Sequence, residues 1–133
     1  MTEGDVISLL IVDDDPCVRE REQAFLEGTG RFSCTTATSA EDALIILPGR
    51  FDAVVSDFEM PGLTGIAFLR ALRLRGISLP FVLYTGKSRD SVLEEALAAG
   101  ASFYVRKGGG TRAELVELAH AVRAAVALRA SSF

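Results

Sequence analysis

Short apolar runs alternate along the chain with longer stretches that have helical spacing. Strands are predicted for five apolar runs, Ile7–Val12, Phe32–Thr36, Ala53–Ser56, Leu79–Tyr84 and Ser102–Arg106. Between them, apolar residues recur three and four positions apart, which puts them on one face of a helix. This alternation is typical of repeated β-α units, in which the strands run parallel and the crossovers are right-handed.

Capping residues, prolines and glycines mark the ends of five predicted helices. Asp15 followed by Pro16 has the pattern of an N-cap and a first-turn proline. Thr111 and Glu114 have the spacing of a capping box. The helices are predicted from Pro16 to Gly28 or Gly30, from Ser39 to Pro48-Gly49, from about Thr64 to Arg75, from about Ser88 to Gly100, and from Thr111 onward. The expected fold is therefore (βα)5 around one parallel sheet.

Length and composition are those of one globular domain. The 133 residues are 49% hydrophobic and 24% charged, and the net charge of −4 gives no reason to expect binding to nucleic acid or to a membrane. Residues 1–5 lack the basic start of a signal peptide, so a cytoplasmic location is expected. Cys17 and Cys34 have no cysteine or histidine partner nearby and are expected to be buried, reduced thiols.

Charged and hydroxyl side chains follow four of the predicted strands. Asp13 and Asp14 follow the first, Asp57 the third, Thr85 the fourth and Lys107 the fifth. Ligand sites of open parallel sheets lie at the carboxyl ends of the strands, so these side chains are expected to converge. Crowded carboxylates repel one another and favour a hard divalent cation. A lysine and a threonine beside them suit a phosphoryl group, which points to phosphoryl transfer onto an aspartate.

These motifs, in this order and spacing, resemble the receiver domain of two-component response regulators. The residues that carry the resemblance are Ile11–Pro16, Asp57–Gly65, Thr85-Gly86 and Lys107. The resemblance implies a flavodoxin-like, doubly wound fold with strand order 2-1-3-4-5, and helices 1 and 5 on one face of the sheet. It also implies that residues 1–133 are a single receiver domain, either alone or as the N-terminal part of a longer multidomain protein.

The resemblance also implies a role for each site residue. In receivers, the aspartate after strand 3 accepts a phosphoryl group with the help of Mg²⁺, a threonine and a lysine. The residues in the corresponding positions are Asp57 as phosphoacceptor, Thr85 and Lys107 as its catalytic partners, and Asp13, Asp14, Asp57 and the backbone carbonyl of Glu59 as metal ligands.

Two further pairs are expected to act after phosphorylation. Thr85 and Tyr104 correspond to the residues that switch together in receivers, and they place the output surface on helix 4, strand 5 and helix 5. Glu59 and Lys87 lie two positions after Asp57 and Thr85, respectively. This opposite-charge pair is expected to gate the water that removes the phosphoryl group.

The expected partners are a histidine kinase or phosphotransfer domain and a downstream effector or kinase domain, and a homodimer is compatible with the resemblance. Such a domain is regulatory, catalysing only its own phosphorylation and dephosphorylation. Two alternatives remain open at this point. One is a receiver-like docking module that is not phosphorylated. The other is a phosphatase of the haloacid dehalogenase type, because Asp13-x-Asp15 superficially matches its nucleophile motif.

The segment after the fifth strand departs from the family pattern. In most receivers the lysine precedes a proline and the bond between them is cis, whereas Lys107 precedes Gly108, Gly109 and Gly110. A cis bond to a residue other than proline costs about 2.5–4 kcal/mol, so a trans bond is expected. This Lys-Gly-Gly variant resembles receivers of archaeal sensory proteins. With few apolar side chains to hold it, the loop is expected to be among the more mobile segments.

Overall fold

In the part of the chain that the structure describes, five strands and five helices alternate strictly. The computed structural model describes residues 6–47, 49–86 and 90–131. The strands are β1 (Ile7–Val12), β2 (Phe32–Ala37), β3 (Ala53–Ser56), β4 (Phe81–Thr85) and β5 (Phe103–Arg106); the helices are α1 (Pro16–Gly28), α2 (Ala40–Ile46), α3 (Gly65–Leu74), α4 (Asp90–Ala98) and α5 (Arg112–Ser131). Within those ranges, no helix combines the length and apolar composition that crossing a membrane requires.

All strand pairs are parallel, and the order in the sheet is β2-β1-β3-β4-β5. This confirms the predicted (βα)5 fold and its strand order. Strands β1 and β3 are neighbours, although β2 separates them in sequence. The carboxyl ends of these two strands therefore lie side by side, at the point where the chain changes direction across the sheet.

The predicted boundaries differ from the observed ones mainly at β4. This strand begins at Phe81 rather than Leu79, and it includes Thr85. Pro80 has no N–H to donate to the sheet, although its carbonyl accepts a hydrogen bond from the Val54 N–H at 2.9 Å. Strand β2 extends one residue further than predicted, and β5 begins one residue later. The predicted start of the fourth helix at Ser88 lies outside the described residues.

Side-chain caps fix the first turns of α1, α2 and α3; the sequence predicts the caps at Asp15 and Ser39, and the structure adds Thr64. Asp15 Oδ1 accepts a hydrogen bond from the Cys17 N–H at 2.9 Å. The hydroxyls of Ser39 and Thr64 accept from the third residue that follows each of them. Each cap satisfies one N–H that the helix itself leaves without a partner.

Alternate residues of the central strands face two separate cores. Leu9 and Ile11 of β1 face the side that α1 and α5 cover, whereas Leu10 and Val12 face the side of α2, α3 and α4. This division agrees with the predicted placement of the helices. The prediction for Cys17 was wrong, because its thiol is exposed in the first turn of α1.

Candidate functional site

Three carboxylates meet at the carboxyl ends of β1 and β3. Asp13 and Asp14 follow β1, and Asp57 follows β3, where its N–H donates to the Val12 carbonyl at 3.1 Å. Each of the three offers a carboxylate oxygen, and these oxygens lie within 4.8 Å of one another. Asp13 is buried, Asp57 is partly buried and Asp14 is exposed. The cluster is therefore open to solvent on the side of Asp14.

Asp13 is held by hydrogen bonds at both of its carboxylate oxygens. Its Oδ1 accepts from the Asp15 N–H at 2.9 Å, and its Oδ2 accepts from Lys107 Nζ at 3.0 Å. Its backbone carbonyl accepts from Arg19 Nη1 at 2.8 Å. Of the two donors to the carboxylate, the Asp15 N–H and Lys107 Nζ, only Lys107 is a charged side chain, and it follows β5, the last strand of the chain. Through this contact with Lys107, Asp13 connects the acidic cluster to the end of β5.

The Asp57 carboxylate lies between a backbone N–H group and the Lys107 ammonium. Its Oδ1 accepts from the Phe58 N–H at 2.7 Å, and its Oδ2 lies 3.4 Å from Lys107 Nζ. Burial raises the pKa of this carboxyl above its usual value, while Lys107 and a hydrogen bond from the Thr85 side chain act in the opposite direction. The side chain is 13% exposed. A reacting group can therefore reach Asp57, although it is mostly withdrawn from water.

The loop after Asp57 requires a glycine at position 65. The Gly65 N–H donates to the Phe58 carbonyl at 2.8 Å, which folds the loop back onto the end of β3. A Cβ at Gly65 would lie 2.2 Å from the backbone oxygen of Asp57, closer than any side chain can approach. The sequence contains this glycine within the motif, but only the folded loop reveals what it contacts.

Lys107 reaches the cluster from the end of β5. Its backbone N–H donates to the Thr85 carbonyl at 2.7 Å, and its Nζ lies 5.4 Å from the centroid of the Tyr84 ring. Burial by itself lowers the pKa of this ammonium, but Asp57 and Asp13 together raise it above its usual value. Lys107 therefore stays charged. No cis peptide bond occurs among the described residues, so the Lys107–Gly108 bond is trans, as predicted.

The structure therefore brings Asp13, Asp14, Asp57, Thr85 and Lys107 to one point at the carboxyl ends of the strands. A family model for the response regulator receiver domain matches residues 9–120, which include all five. The chain belongs to the response regulator receiver family. This receiver is a regulatory domain of two-component signal transduction, and neither the docking-module nor the phosphatase alternative is favoured.

Two curated relatives resemble the receiver over about three quarters of its length. The response regulator Rre1 of Synechocystis is 39% identical over 104 residues, which are 76% of this chain and 45% of that protein. The response regulator SaeR of Staphylococcus aureus is 32% identical over 99 residues, which are 74% of this chain and 43% of that protein. The receiver thus matches less than half the length of each of these relatives.

Solved structures of response regulators share the fold. The chemotaxis response regulator CheY4 of Vibrio cholerae superposes with a TM-score of 0.79 at 27% identity, covering 88% of this chain and 98% of its own. A two-component response regulator of the LuxR family from Aurantimonas superposes with a TM-score of 0.83 at 28% identity, covering 92% and 86%, respectively.

The donor set of the receiver fits Mg²⁺. The ion prefers hard oxygen ligands and usually takes one or two carboxylates together with waters. The cluster offers three carboxylates, and Lys107 is the cation that bridges two of them. Among the described residues, the negative charges of Asp13, Asp14 and Asp57 exceed the positive charge that Lys107 brings against them, and a divalent ion would correct this imbalance.

The remaining predicted residues lie around the cluster. Tyr104 packs against the core on the α2–α4 side, and its hydroxyl is buried with no hydrogen-bond partner among the described residues. Burial raises the pKa of this phenol. Glu59 is exposed in the loop after β3. Lys87 lies outside the described residues, so the expected pairing with Glu59 stays a prediction.

For two acidic residues near the site, the sequence analysis did not predict the role that the structure shows. Glu22 of α1 is 1% exposed, and neither carboxylate oxygen has a hydrogen-bond partner within the described part of the chain. Its position four residues after Val18 and four before Leu26 gave a signal, since this spacing marks the inward face of a helix. The second is Glu114. The Thr111 hydroxyl accepts from the Glu114 N–H at 3.2 Å, as a capping box requires, but the Glu114 carboxylate binds the glycine loop instead.

Proposed function

We propose that this receiver accepts a phosphoryl group on Asp57 from the phosphohistidine of a histidine kinase or phosphotransfer domain. The observation that carries the proposal is the position of Lys107, whose Nζ lies 3.4 Å from Asp57 Oδ2 and 3.0 Å from Asp13 Oδ2. An ammonium between the acceptor and the acidic cluster suits the transfer of an anionic group. The catalysis required is mostly positioning and charge stabilisation.

In the proposed reaction an Asp57 oxygen forms a bond to phosphorus while the phosphorus–nitrogen bond to the donor imidazole breaks. The imidazole nitrogen keeps the electron pair of that bond and takes up a proton. Lys107 stabilises negative charge on the phosphoryl oxygens, and the Thr85 hydroxyl donates a hydrogen bond to one of them. Asp57 must be ionised to attack, and Lys107 and Thr85 favour that form against the effect of burial.

Mg²⁺ is the proposed cofactor. Asp13, Asp14 and Asp57 would hold it, with the backbone carbonyl of Glu59 as a further ligand. When bound, the ion neutralises charge on the transferring phosphoryl oxygens. The support is the set of three carboxylate oxygens within 4.8 Å of one another, which matches the ligand preference of this ion.

Mg²⁺ is expected to raise the melting temperature of the domain by a few degrees. The folded acidic cluster binds the ion and the unfolded chain does not, so a concentration ten times Kd adds about 1.4 kcal/mol to the free energy of unfolding. Thermal melts in EDTA and in rising MgCl₂ measure the shift. An Asp14→Asn variant should shift less, and an unchanged melting temperature in the parent chain would rule out a metal site here.

The proposed output surface is the face of α4, β5 and α5. Tyr104 lies on β5 with a buried hydroxyl that has no hydrogen-bond partner among the described residues, so a move of the ring would break no such bond. We propose that Thr85 shifts toward the phosphoryl group and that Tyr104 follows. Glu59 and Lys87 are proposed to restrict the water that later hydrolyses the acyl phosphate.

The whole protein's partners follow from the same proposal. Residues 1–133 are proposed to form one receiver domain that acts on a downstream effector or kinase domain, which in a longer protein would belong to the same chain. The support is that this chain matches 45% and 43% of the lengths of two response regulators. A second copy of the domain is a further candidate partner.

Incubation with a small acyl phosphate and Mg²⁺ tests the proposed function. We expect a mass increase of one phosphoryl group, located on the peptide that contains Asp57 and absent when EDTA replaces Mg²⁺. A chain that gains no mass would be a docking module. Sustained turnover of a generic phosphoester, with no stable adduct, would instead support the phosphatase alternative.

A further inference from the structure

The glycine loop after β5 lacks the proline that follows the lysine in most receivers. Gly108, Gly109 and Gly110 supply no ring and no side chain that could hold the backbone. Gly109 and Gly110 have positive φ values of 135° and 73°, a region in which glycine is favoured. Glycine also has more backbone freedom to lose than any other residue, so this loop needs contacts from elsewhere to aim Lys107.

The carboxylate of Glu114 supplies those contacts. Its Oε1 accepts a hydrogen bond from the Gly110 N–H at 2.7 Å, and its Oε2 accepts from the Gly108 N–H. Glu114 lies in the first turn of α5 and is 9% exposed. An acidic side chain at that end of a helix also interacts favourably with the helix dipole. Both oxygens are therefore committed to the backbone on either side of Gly109.

Residues of two other elements close around the same loop. Arg21 of α1 lies against Gly110, where a Cβ would come within 2.6 Å of Arg21 Nη1. The Tyr84 ring of β4 lies under Lys107, with Nζ 5.4 Å from the ring centroid. The loop is thus fixed from α1, β4 and α5. The mobility that the glycines predict for this loop stays a prediction.

We propose that Glu114 is a positioning residue for phosphoryl transfer to Asp57. By holding the N–H groups of Gly108 and Gly110, it sets the direction in which Lys107 leaves β5 and so keeps the ammonium against Asp13 and Asp57. It does the work that a proline after the lysine does in most receivers. The inference rests on the proposed acceptance of a phosphoryl group at Asp57.

A double-mutant cycle between Glu114 and Lys107 tests the proposal. The rate of labelling by a small acyl phosphate in saturating Mg²⁺ is measured for the parent chain, Glu114→Ala, Lys107→Ala and the double variant. Loss of the ammonium should slow labelling about 10²–10³-fold. Loss of Glu114 leaves the ammonium present but misplaced, and should slow it about tenfold to a hundredfold.

The double variant should be no slower than Lys107→Ala alone, because Glu114 acts through Lys107. A general loss of structure would instead make the two effects multiply. Glu117→Ala, an exposed glutamate on the same helix, is the matched control and should label at the parent rate. A thermal melt of each variant is recorded before its labelling rate is measured, so that every rate refers to folded protein. If Glu114→Ala does not fold, Glu114→Gln, which keeps one acceptor oxygen, takes its place in the cycle.

The outcomes separate this inference from the proposed function. A parent chain that is not labelled at Asp57 would overturn the proposed function. A parent chain that is labelled at Asp57 while folded Glu114→Ala labels equally fast would overturn only the role of Glu114. Multiplying effects in the cycle would overturn it as well, since Glu114 would then act independently of Lys107.

Discussion

Asp57→Asn is expected to abolish labelling by acyl phosphates and to stabilise the fold in metal-free buffer. An amide oxygen does not replace a carboxylate as the nucleophile, so position 57 can no longer accept the phosphoryl group. The stability gain follows from the carboxylate's surroundings. Burial disfavours its ionised form, and the oxygens of Asp13 and Asp14 lie within 4.8 Å. Removing the charge relieves both effects, although Lys107 loses one of its two partners.

Mass spectrometry after acyl phosphate treatment and urea unfolding in EDTA measure the two effects of Asp57→Asn. Asp15→Asn is the matched control. Asp15 is exposed beside the same cluster and caps α1, and asparagine caps a helix about as well as aspartate. The control should label normally and unfold at nearly the parent urea concentration. Labelling that persists in Asp57→Asn would move the acceptor to another residue.

The free energy of unfolding is expected to fall by about 4 kcal/mol between pH 4.5 and pH 8 because of Glu22 alone. Burial, followed by the charge of Asp13, raises the pKa of Glu22 from its ordinary value of 4.5 to about 8, while Lys107 acts in the opposite direction. Between these two pH values the folded chain keeps a proton that the unfolded chain has released. The unfolded state therefore binds fewer protons, and stability is lost as pH rises through the folded pKa.

Replacing Glu22 isolates this contribution. Glu22→Gln should remove its part of the pH dependence, because glutamine does not titrate. Glu22→Leu should add about 1–3 kcal/mol to the free energy of unfolding at pH 7, since an apolar side chain replaces a buried polar group without a partner. Urea melts in EDTA from pH 5 to pH 8.5 measure both. Glu20→Gln on the exposed face of α1 is the control. If Glu22→Gln parallels the parent chain at every pH, Glu22 is ionised and hydrated in the fold.

The elements and the main site residues could be predicted because their signals are local. The apolar run Ile7–Val12 is long enough for a strand and too short for most helices, and Asp15-Pro16 fixes where α1 begins. Once the strands are parallel, a polar residue directly after an apolar run must lie at the carboxyl edge of the sheet. For Asp13, Asp57 and Lys107 the position along the chain therefore implied the position in space.

Tertiary structure decided the contacts of the side chains that lie between elements. Glu22 is an acidic residue, a type that is usually exposed, yet the packing of α1 against the sheet buries it. Glu114 has the spacing of a capping box, but its carboxylate accepts hydrogen bonds from two N–H groups of the glycine loop, which precedes α5. The need for glycine at position 65 arises only when α3 folds back onto the carbonyl of Asp57.

The sequence by itself determined the order of strands and helices, the family and the set of charged groups at the end of the sheet. These features depend on local periodicity and on the fixed geometry of parallel strands. Only the tertiary structure decided how Lys107 is aimed, because its direction depends on contacts that Arg21, Tyr84 and Glu114 make from three different elements. Such contacts join residues far apart in the chain, and no short sequence pattern encodes a distance between them.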